Sequence, residues 1–430
     1  MGGSGQVRFK QLRGFSRLFP IPMYIDETSV NFNTNNMTLS GARLHLGKSD
    51  LTLSGELSGI RRAMLRGGKL KANFELESDL IDCNQLMLAI GKGLQFSDQL
   101  ASNSVRAFSE DSISVLETDH LLANTVDSVA TDSISQLFVV PKFLDLTLHT
   151  NAKKIDFKDL KLEDVKGEVV IRDQSINLSD LCMSSNIGSG DLTMVYTTKT
   201  DQEATMGFEL SLNDILVERL ISLFPDIDTL VPMLRSFEGM VDCQMTATCK
   251  ADSTMSVLLP SVNASCYLSG KNMVLLDGET FTEISKTLMF KNKKRNMIDS
   301  IAVDLAIHDN KIEVFPFLVE MDRYKVAVGG THNLDMTFDY HLSVLKSPVP
   351  FKLGIDIKGN LDDFKFKIVK CKYKDFLKPA KQAELDSTRR NVREEIRETI
   401  RKQIREAAPE LGNSLSEIHP HTHGHVEEST

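Results

Sequence analysis

Alternation of apolar and polar residues is the strongest pattern along this chain. Between residues 334 and 344 every second residue is apolar, and the residues in between are polar. A period of two predicts a β-strand with one face towards an apolar interior and the other towards water. The pattern recurs on both sides of this stretch, which predicts consecutive antiparallel strands. The apolar positions that we single out are Val303, Leu305, Val326, Leu334, Met336, Phe338, Leu342, Val344, Leu353, Ile355 and Ile357.

Short strands with the same period fill much of the remaining chain. They run from Val30 to Leu80 and again from Leu144 to Leu212, separated by turns rich in Asn, Asp, Gly and Lys. Because these turns are short, neighbouring strands should pair in sequence order. The apolar phase slips by one residue after Ile368, which predicts a β-bulge there. The fold class is therefore mainly β, with an elongated and mostly antiparallel sheet.

A helix and a polar segment interrupt the first group of strands. Asp82 is a good N-cap, and Gly91 with Gly93 predicts the end of a short helix. From residue 95 to 140 the chain is rich in Ser, Asp, Asn and Thr and has no sustained period, which predicts a flexible insertion. Apolar residues at helix-like spacing between residues 116 and 129 make a helix there the alternative.

Two further helices are predicted as lids over strand ends. Asn213 or Asp214 can cap the first, and Thr280 with Glu283 has the spacing of a capping box for the second. Beyond Pro379 the composition changes to Glu, Arg, Lys and Gln, with apolar residues at steps of four. This pattern predicts an amphipathic, very polar helix that docks weakly on the sheet or on a partner.

These patterns divide the chain into six segments. They are an N-terminal segment 1–27, a β segment with a short helix 28–94, a polar flexible insertion 95–140, a β region with helical lids 141–375, an amphipathic charged helix 376–410 and a disordered His-containing tail 411–430. At 430 residues the chain is long enough to bury a large core.

The net charge argues against nucleic acid as a partner, and the length of the apolar runs argues against a membrane-spanning helix. The net charge of −9 and the pI near 5.7 argue against a nucleic-acid binder, which usually carries a clustered positive surface. No apolar run reaches the roughly 18 residues that a membrane-spanning helix needs. The first residues, Met1 to Gly5, lack the apolar stretch of a secretory signal and are typical either of a short added sequence or of a start inside a longer protein.

The six cysteines show neither a C-x-x-C pair nor the spacing of a zinc site. Cys243, Cys249 and Cys266 share the strand parity of their apolar neighbours, where small apolar side chains belong. This placement favours buried free thiols. A disulfide is the alternative, and the sequence does not give its pairing.

Motifs of the common enzyme classes are missing from the sequence. It contains no G-x-S-x-G, no phosphate-binding loop, no H-E-x-x-H and no G-x-G-x-x-G after a strand. The adjacent pair His308 and Asp309 falls where strands turn, and so does the pair Asp362 and Asp363, which explains these residues without catalysis. We expect no enzymatic activity, no cofactor and no metal site.

Each of two charged clusters can be interpreted either as solvated surface or as a binding site. Alternating histidines near the C-terminus have the composition of a metal-binding tract, but nothing pre-organises them, which favours a solvated tail. A basic cluster after the second lid suits either a solvated helix end or contact with lipid phosphates. The residues are His419, His421, His423 and His425, and Lys291, Lys293, Lys294 and Arg295.

Several stretches together resemble the C-terminal region of AsmA-like proteins. The resemblance covers roughly residues 28 to 375 apart from the polar insertion, and it is carried by diffuse patterns and not by a catalytic motif. The stretches are Leu46 to Leu57, the strands from Pro141 to Tyr196, Ile215 to Gly239, Val257 to Gly270, the capped helix at Thr280, and Gly329 to Asp335 with the turn Pro348 to Pro350.

The resemblance implies a location and a function. AsmA-like proteins are Gram-negative envelope proteins, usually tethered to the inner membrane by one N-terminal helix, with the rest in the periplasm. They are related to bridge-like lipid transfer proteins, in which a long curled β-sheet forms an apolar groove. The implied architecture is a curled sheet forming a groove, and the implied ligand is phospholipid or another acyl-chain lipid. This chain lacks the N-terminal membrane helix of such proteins.

The apolar strand face therefore has two interpretations that the period leaves open. In one, the residues singled out above fill a closed core, each stabilising the fold by about 1.5 to 3 kcal/mol. In the other, the sheet stays open and the same residues contact acyl chains. We expect a non-enzymatic envelope biogenesis protein that holds or transfers phospholipid between membranes. The alternative is a periplasmic scaffold for outer-membrane assembly, in which the helix from Lys381 to Ala407 recruits an envelope protein.

Overall fold

The computed structural model confirms a mainly β fold: most of the described residues lie in strands of one long, mostly antiparallel sheet that does not close into a barrel. The structure describes residues 4–17, 19–26, 28–66, 68–103, 137–157, 160–185, 188–200, 202–223, 237–276, 295–321, 324–333, 337–347, 352–360 and 363–407.

Twenty-two strands, four α-helices and a short 3-10 helix, Leu259–Ser261, are defined within these residues. The strands are β1 Ser4–Phe9, β2 Leu12–Ser16, β3 Phe19–Ile25, β4 Thr28–Asn33, β5 Asn36–Leu46, β6 Ser49–Ser58, β7 Leu70–Ser78, β8 Ile81–Asp82, β9 Leu144–Phe157, β10 Leu160–Arg172, β11 Ser175–Ser185, β12 Gly188–Thr197, β13 Glu203–Leu216, β14 Phe237–Glu238, β15 Met240–Asp252, β16 Asn263–Leu276, β17 Arg295–His308, β18 Lys311–Met321, β19 Tyr324–Asn333, β20 Phe338–Lys346, β21 Leu353–Gly359 and β22 Phe364–Val369. The helices are α1 Ile60–Arg66, α2 Cys83–Asn103, α3 Val217–Leu223 and α4 Pro379–Ala407.

Strand pairing follows the chain order almost throughout, as the short turns predict. From β4 to β7 and from β9 to β13 each strand pairs antiparallel with the next, and β15 to β22 continue the ladder from β13. The main exception is β7, which pairs parallel with β9 across a connection that contains α2. Parallel neighbours need such a long crossover. At the N-terminal end β5 pairs with both β4 and β3, so β1 on β4 and β2 on β3 form two branches, and the short strands β8 and β14 pair with β9 and β16. Strands β1, β2 and β22 are the ends of the ladder.

Four of the register shifts in the sheet coincide with residues of positive φ. They are the bulges at Gly41 in β5, at Asp164 in β10, at Asp180 in β11 and at Asp214 in β13, where φ is between 49° and 61°. Gly and Asp tolerate this left-handed conformation better than most residues. A bulge bends its strand and increases the local twist, so these four positions favour a curled sheet.

The prediction of a β-bulge after Ile368 is wrong. The register between β21 and β22 is unbroken from Phe364 to Val369, where the strand ends. Cys371 and Tyr373, which carry the shifted phase, belong to a turn that packs against Ala327 and Leu345 on the opposite face of the sheet. A strand end followed by a fold-back therefore produces the same phase slip as a bulge.

Helix α2 begins where the sequence predicts but ends later than predicted. The Gln85 backbone N–H donates to the Asp82 carboxylate at 2.9 Å, as expected of an N-cap. The helix does not end at Gly91 and Gly93 but continues to Asn103. Each glycine costs a helix about 1 kcal/mol relative to alanine. Packing of Leu86 from α2 against the apolar cluster of the sheet is one contact that helps to offset this cost.

The first lid helix begins later than predicted. Ile215 and Leu216 are still strand, paired with Val241 and Met240, and α3 starts at Val217. Asp214 is a bulge residue, and its own backbone N–H donates to the carboxylate of Asp242. The continuation from Phe224, the helix at Thr280, the cluster Lys291 to Lys294, residues 104–136 and the tail after residue 407 lie outside the described residues.

Candidate functional site: the apolar face of the sheet

One row of directly paired residues crosses eighteen strands on a single face of the sheet. Every member is apolar or glycine except His332. Directly opposite residues point to the same face, so the pairing itself defines the row. In ladder order it contains Val7, Val30, Leu39, Gly55, Phe74, Leu148, Val169, Leu178, Met194, Phe208, Ala247, Ala264, Ile307, Ile312, His332, Phe338, Gly359 and Phe364. We call this the first row, and its face the apolar face.

Two parallel rows widen the apolar face. One spans eleven strands from β1 to β15 through Gly5, Phe32, Met37, Leu57, Ala72, Leu146, Ile171, Ile176, Tyr196, Met206 and Cys249. The other spans eleven strands from β11 to β22 through Leu181, Leu192, Leu210, Met245, Cys266, Leu305, Val314, Gly330, Tyr340, Ile357 and Phe366. Two apolar rows therefore lie side by side at almost every point along the sheet.

The opposite face of the sheet, which we call the outer face, is polar at the positions that alternate with these apolar rows. Between the first row and the row through Leu305 lies a row with one apolar member, Ala306. It contains Thr193, Glu209, Thr246, Ser265, Ala306, Glu313, Thr331, Asp339, Lys358 and Lys365. The alternation in the sequence thus becomes two chemically distinct faces of one sheet.

Exposure along the first row is uneven. From Leu39 to Phe208 its large side chains are half-buried, and the same holds for Phe338 and Phe364. In the middle, from β15 to β18, the row is buried, and Ile312 is only 1% exposed. The apolar face is therefore closed over β15–β18 and partly open on both sides of that section.

The closed section contains the largest apolar cluster. It packs Val217 and Leu220 of α3, both fully buried, against residues of β15–β18 that include Val241, Met273 and Ile298. The short helix thus acts as the predicted lid at the end of β13. Two further elements cover the apolar face elsewhere: α2 packs at Leu76 and Ala152, and residues 137–140 pack at Tyr196 and Ala204.

The structure places all nine described candidate residues on the apolar face. Val303, Val326, Phe338, Leu342 and Leu353 are half-buried. Leu305, Val344, Ile355 and Ile357 are buried, at 1% to 5% exposure. Leu334 and Met336 lie outside the described residues, because the described strand begins at Phe338.

Helix α4 lies on the outer face and is held there by arginines. Arg393 pairs with Asp304 of β17, and Arg397 pairs with Glu209 of β13 at 2.6 Å. The Arg393 guanidinium also stands 5.2 Å from the ring centroid of Tyr267 on β16. The apolar stripe predicted for this helix contributes half-buried Val392 and Ile396. The arginine contacts were not predicted, because acidic residues at polar strand positions give no signal until the register is known.

A buried polar network holds the turn after β22 against the outer face. His341 Nδ1 lies 2.6 Å from the Asp356 carboxylate, and His341 Nε2 accepts the Lys372 backbone N–H at 3.1 Å. Ser343 lies 2.9 Å from the same Nε2, and it accepts the Tyr373 backbone N–H at 2.9 Å. Ser, His and Asp also form hydrolase triads, but Ser343 is fully buried. The arrangement therefore serves as a latch for residues 370–374.

Buried titratable groups on the apolar face are held neutral. Burial raises the pKa of Tyr340 to about 12. The contact with Cys243, whose Sγ lies 3.9 Å away, raises the pKa of Cys266 together with burial. All six cysteines are free thiols. Neutral side chains keep this face apolar at physiological pH.

Among the described residues, none of the helices is long and apolar enough to cross a bilayer, and no cluster of three or more His, Cys, Asp or Glu residues has the geometry to hold a metal ion. No protein-family model, curated protein or solved structure matches this chain.

Proposed function

We propose that this protein holds an acyl-chain lipid, such as a phospholipid, against the apolar face of its sheet and passes it along that face without catalysis. The first row carries the proposal. A core that served stability alone would not need an apolar row across eighteen strands of a sheet that stays open. At about 4.8 Å between neighbouring strands, the row is on the order of 80 Å long measured along the sheet.

The energetics favour a lipid as the ligand. Each methylene group that moves from water to an apolar surface contributes about 0.8 kcal/mol. Half-buried side chains such as Phe74, Leu148 and Phe338 are accessible to such a chain. Large exposed apolar surfaces on soluble proteins usually mark binding sites.

The closed section over β15–β18 divides the apolar face into two stretches. A lipid therefore rests on either stretch, and its passage from one to the other requires α3 and its fully buried Leu220 to move aside. As the resemblance to AsmA-like proteins implies, we place this activity in the periplasm of a Gram-negative cell. There the full-length protein would be tethered to the inner membrane.

Native mass spectrometry of the purified protein tests the proposal. We expect phospholipid masses on the wild type, and their loss when Phe338→Asp and Leu342→Asp place charges on the apolar face. The control variant carries Lys365→Asp and Lys367→Asp, which place carboxylates on exposed outer positions of β22. Equal lipid content in all three proteins, or no lipid on the wild type, would contradict the proposal.

A scaffold for outer-membrane assembly is the second candidate. The closed section over β15–β18 favours it, as do the exposed Glu395 and Glu398 on α4, which face away from the sheet. Under this proposal the variant with Glu395→Lys and Glu398→Lys loses an envelope protein partner but keeps its lipid. If the protein transfers lipid without a protein partner, the same variant should keep both its lipid content and its association state.

A further inference from the structure

Five exposed lysines gather at one end of the last three strands. Lys346 ends β20, Lys352 directly precedes β21, and Lys370 directly follows β22. Because the strands are antiparallel, these three positions lie at the same edge of the sheet. Lys372 and Lys374 follow in the turn after β22. We call these five residues the basic edge.

Backbone contacts tie the basic edge together. Lys352 Nζ donates to the backbone carbonyl of Lys374 at 3.3 Å. The carbonyl oxygen of Lys370 lies against Gly354, where an added Cβ would stand 2.6 Å from it. His341 binds the backbone of Lys372, so the latch described above positions this turn. The five lysines are therefore held near one another by the fold.

The positive charges of the basic edge are only partly neutralised by nearby carboxylates. None of the five ammonium groups forms an ion pair with a carboxylate in the described part of the chain, whereas nearby Lys325 pairs with Glu320 at 2.6 Å and Lys378 pairs with Asp375 at 2.8 Å. Lys374 and Lys352 add to the Lys378 hydrogen bond in lowering the pKa of Asp375. A local positive surface thus stands out on a chain of net charge −9.

Two exposed aliphatic side chains accompany the lysines. Ile368, on the apolar face of β22, is 66% exposed, and Leu377 in the following turn is 46% exposed. Protein interfaces are depleted in lysine and enriched in arginine and aromatic residues. Lysine is a strongly hydrated point charge on a flexible stem, which suits a fluid layer of phosphates better than a fixed carboxylate site.

We propose that the basic edge docks on the surface of a bilayer that contains anionic phospholipid, with Ile368 and Leu377 entering the headgroup region. Juxtamembrane lysine clusters are attracted to such surfaces. Docking would place the β22 end of the apolar face at the bilayer. The attachment holds whether or not the apolar face carries lipid, so its test is independent of the test above.

Sedimentation with vesicles tests the attachment. The full chain is mixed with vesicles of phosphatidylcholine alone or of phosphatidylcholine with phosphatidylglycerol. We expect binding only to the second kind, and its loss at high salt. Replacing all five lysines of the basic edge by Gln should weaken binding by at least ~100-fold. The control replaces five other exposed lysines by Gln, with the same change in net charge, and should bind within ~3-fold of the wild type. These are Lys142, Lys161, Lys166, Lys199 and Lys311.

Tryptophan fluorescence provides a second readout, because the chain contains no tryptophan. Leu377→Trp should shift its emission to shorter wavelength on vesicles with phosphatidylglycerol, and Phe143→Trp, at an exposed position before β9, should not. Equal weakening by the two sets of Gln substitutions would overturn the proposal. A wild type that does not bind vesicles with phosphatidylglycerol would also overturn it. Binding of that wild type to beads coated with polyglutamate would then identify the basic edge as a protein-docking surface.

Discussion

The ring of Tyr340 on β20 lies over the backbone of Gly330, its partner on β19. A Cβ added to Gly330 would stand 2.7 Å from Cδ1 of the tyrosine ring and closer still to the Asp339 carbonyl oxygen. Phe74 lies over Gly55 in the same way, with Cδ1 at 2.8 Å from an added Cβ. Glycine opposite an aromatic residue thus lets the ring lie flat against the apolar face.

Gly330→Ala should destabilise the protein by about 1 to 3 kcal/mol, because the new methyl group displaces both the Tyr340 ring and the backbone of β20 in a packed region. Urea unfolding followed by circular dichroism measures the change. Gly14→Ala is the control, since its Cβ would meet Met23 Cε at an ordinary 3.6 Å. Equal stability of the two variants would show that the ring has room to move.

Asp304→Asn should release part of α4 from the outer face. The Asp304 side chain is 11% exposed and faces both Arg389 and Arg393, so its loss leaves Arg393 without this carboxylate and leaves Arg389 with the exposed Asp386. We expect a loss of about 2 to 4 kcal/mol in the free energy of unfolding and faster proteolysis within α4. Asp173→Asn is the control, because the Lys69–Asp173 pair is about half exposed and should contribute under ~1 kcal/mol. Slow proteolysis of α4 in Asp304→Asn would contradict this role.

Alkylation should rank the cysteines by burial. Exposed Cys182 should react with iodoacetamide before buried Cys243 and Cys266, because thiolate is the reactive form and burial hinders both ionisation and access. The pKa of Cys182 is itself raised by its hydrogen bond with Asp191. Even this residue should therefore react more slowly than a fully solvated cysteine with an unshifted pKa. Peptide mass spectrometry gives the order. Early labelling of Cys266 would show that the closed section opens readily.

Alkaline titration should reveal three late tyrosines among the six in the chain. Burial raises the pKa of Tyr196 and of Tyr340 from 10.0 to about 12, and it also raises the pKa of Tyr373. Well below pH 10 the phenols of Tyr196 and Tyr340 are neutral in the folded and unfolded states, so they add no pH dependence to stability. As the pH rises from 10 towards 12 the unfolded phenols ionise first, and stability falls.

The ultraviolet absorbance of phenolate measures that titration, and chemical denaturation at each pH measures stability. Tyr196→Phe and Tyr340→Phe should each remove one late-titrating group and reduce the fall in stability. If both variants keep the wild-type titration curve, Tyr196 and Tyr340 are not the late groups.

The faces of the sheet were predictable from the sequence, because a period of two assigns each residue to a face without knowledge of its neighbours. All nine described candidates do share one face. Contacts between distant parts of the chain were not predictable. The helix continues past Gly91 and Gly93, the phase slip at Ile368 is a fold-back, and Arg393 meets Asp304 because the register brings together residues 89 positions apart. Local propensity carries no information on such contacts.

Photocrosslinking can detect whether acyl chains lie on the apolar face. A photoreactive phenylalanine analogue is placed at Phe74, Leu148, Met194 or Phe338 of the first row, and at Thr193 or Lys365 of the outer face. After illumination of protein with bound phospholipid, we expect lipid adducts at the four first-row positions and none at the two outer positions. Adducts of equal yield on both faces, or on neither, would contradict this placement of the acyl chains.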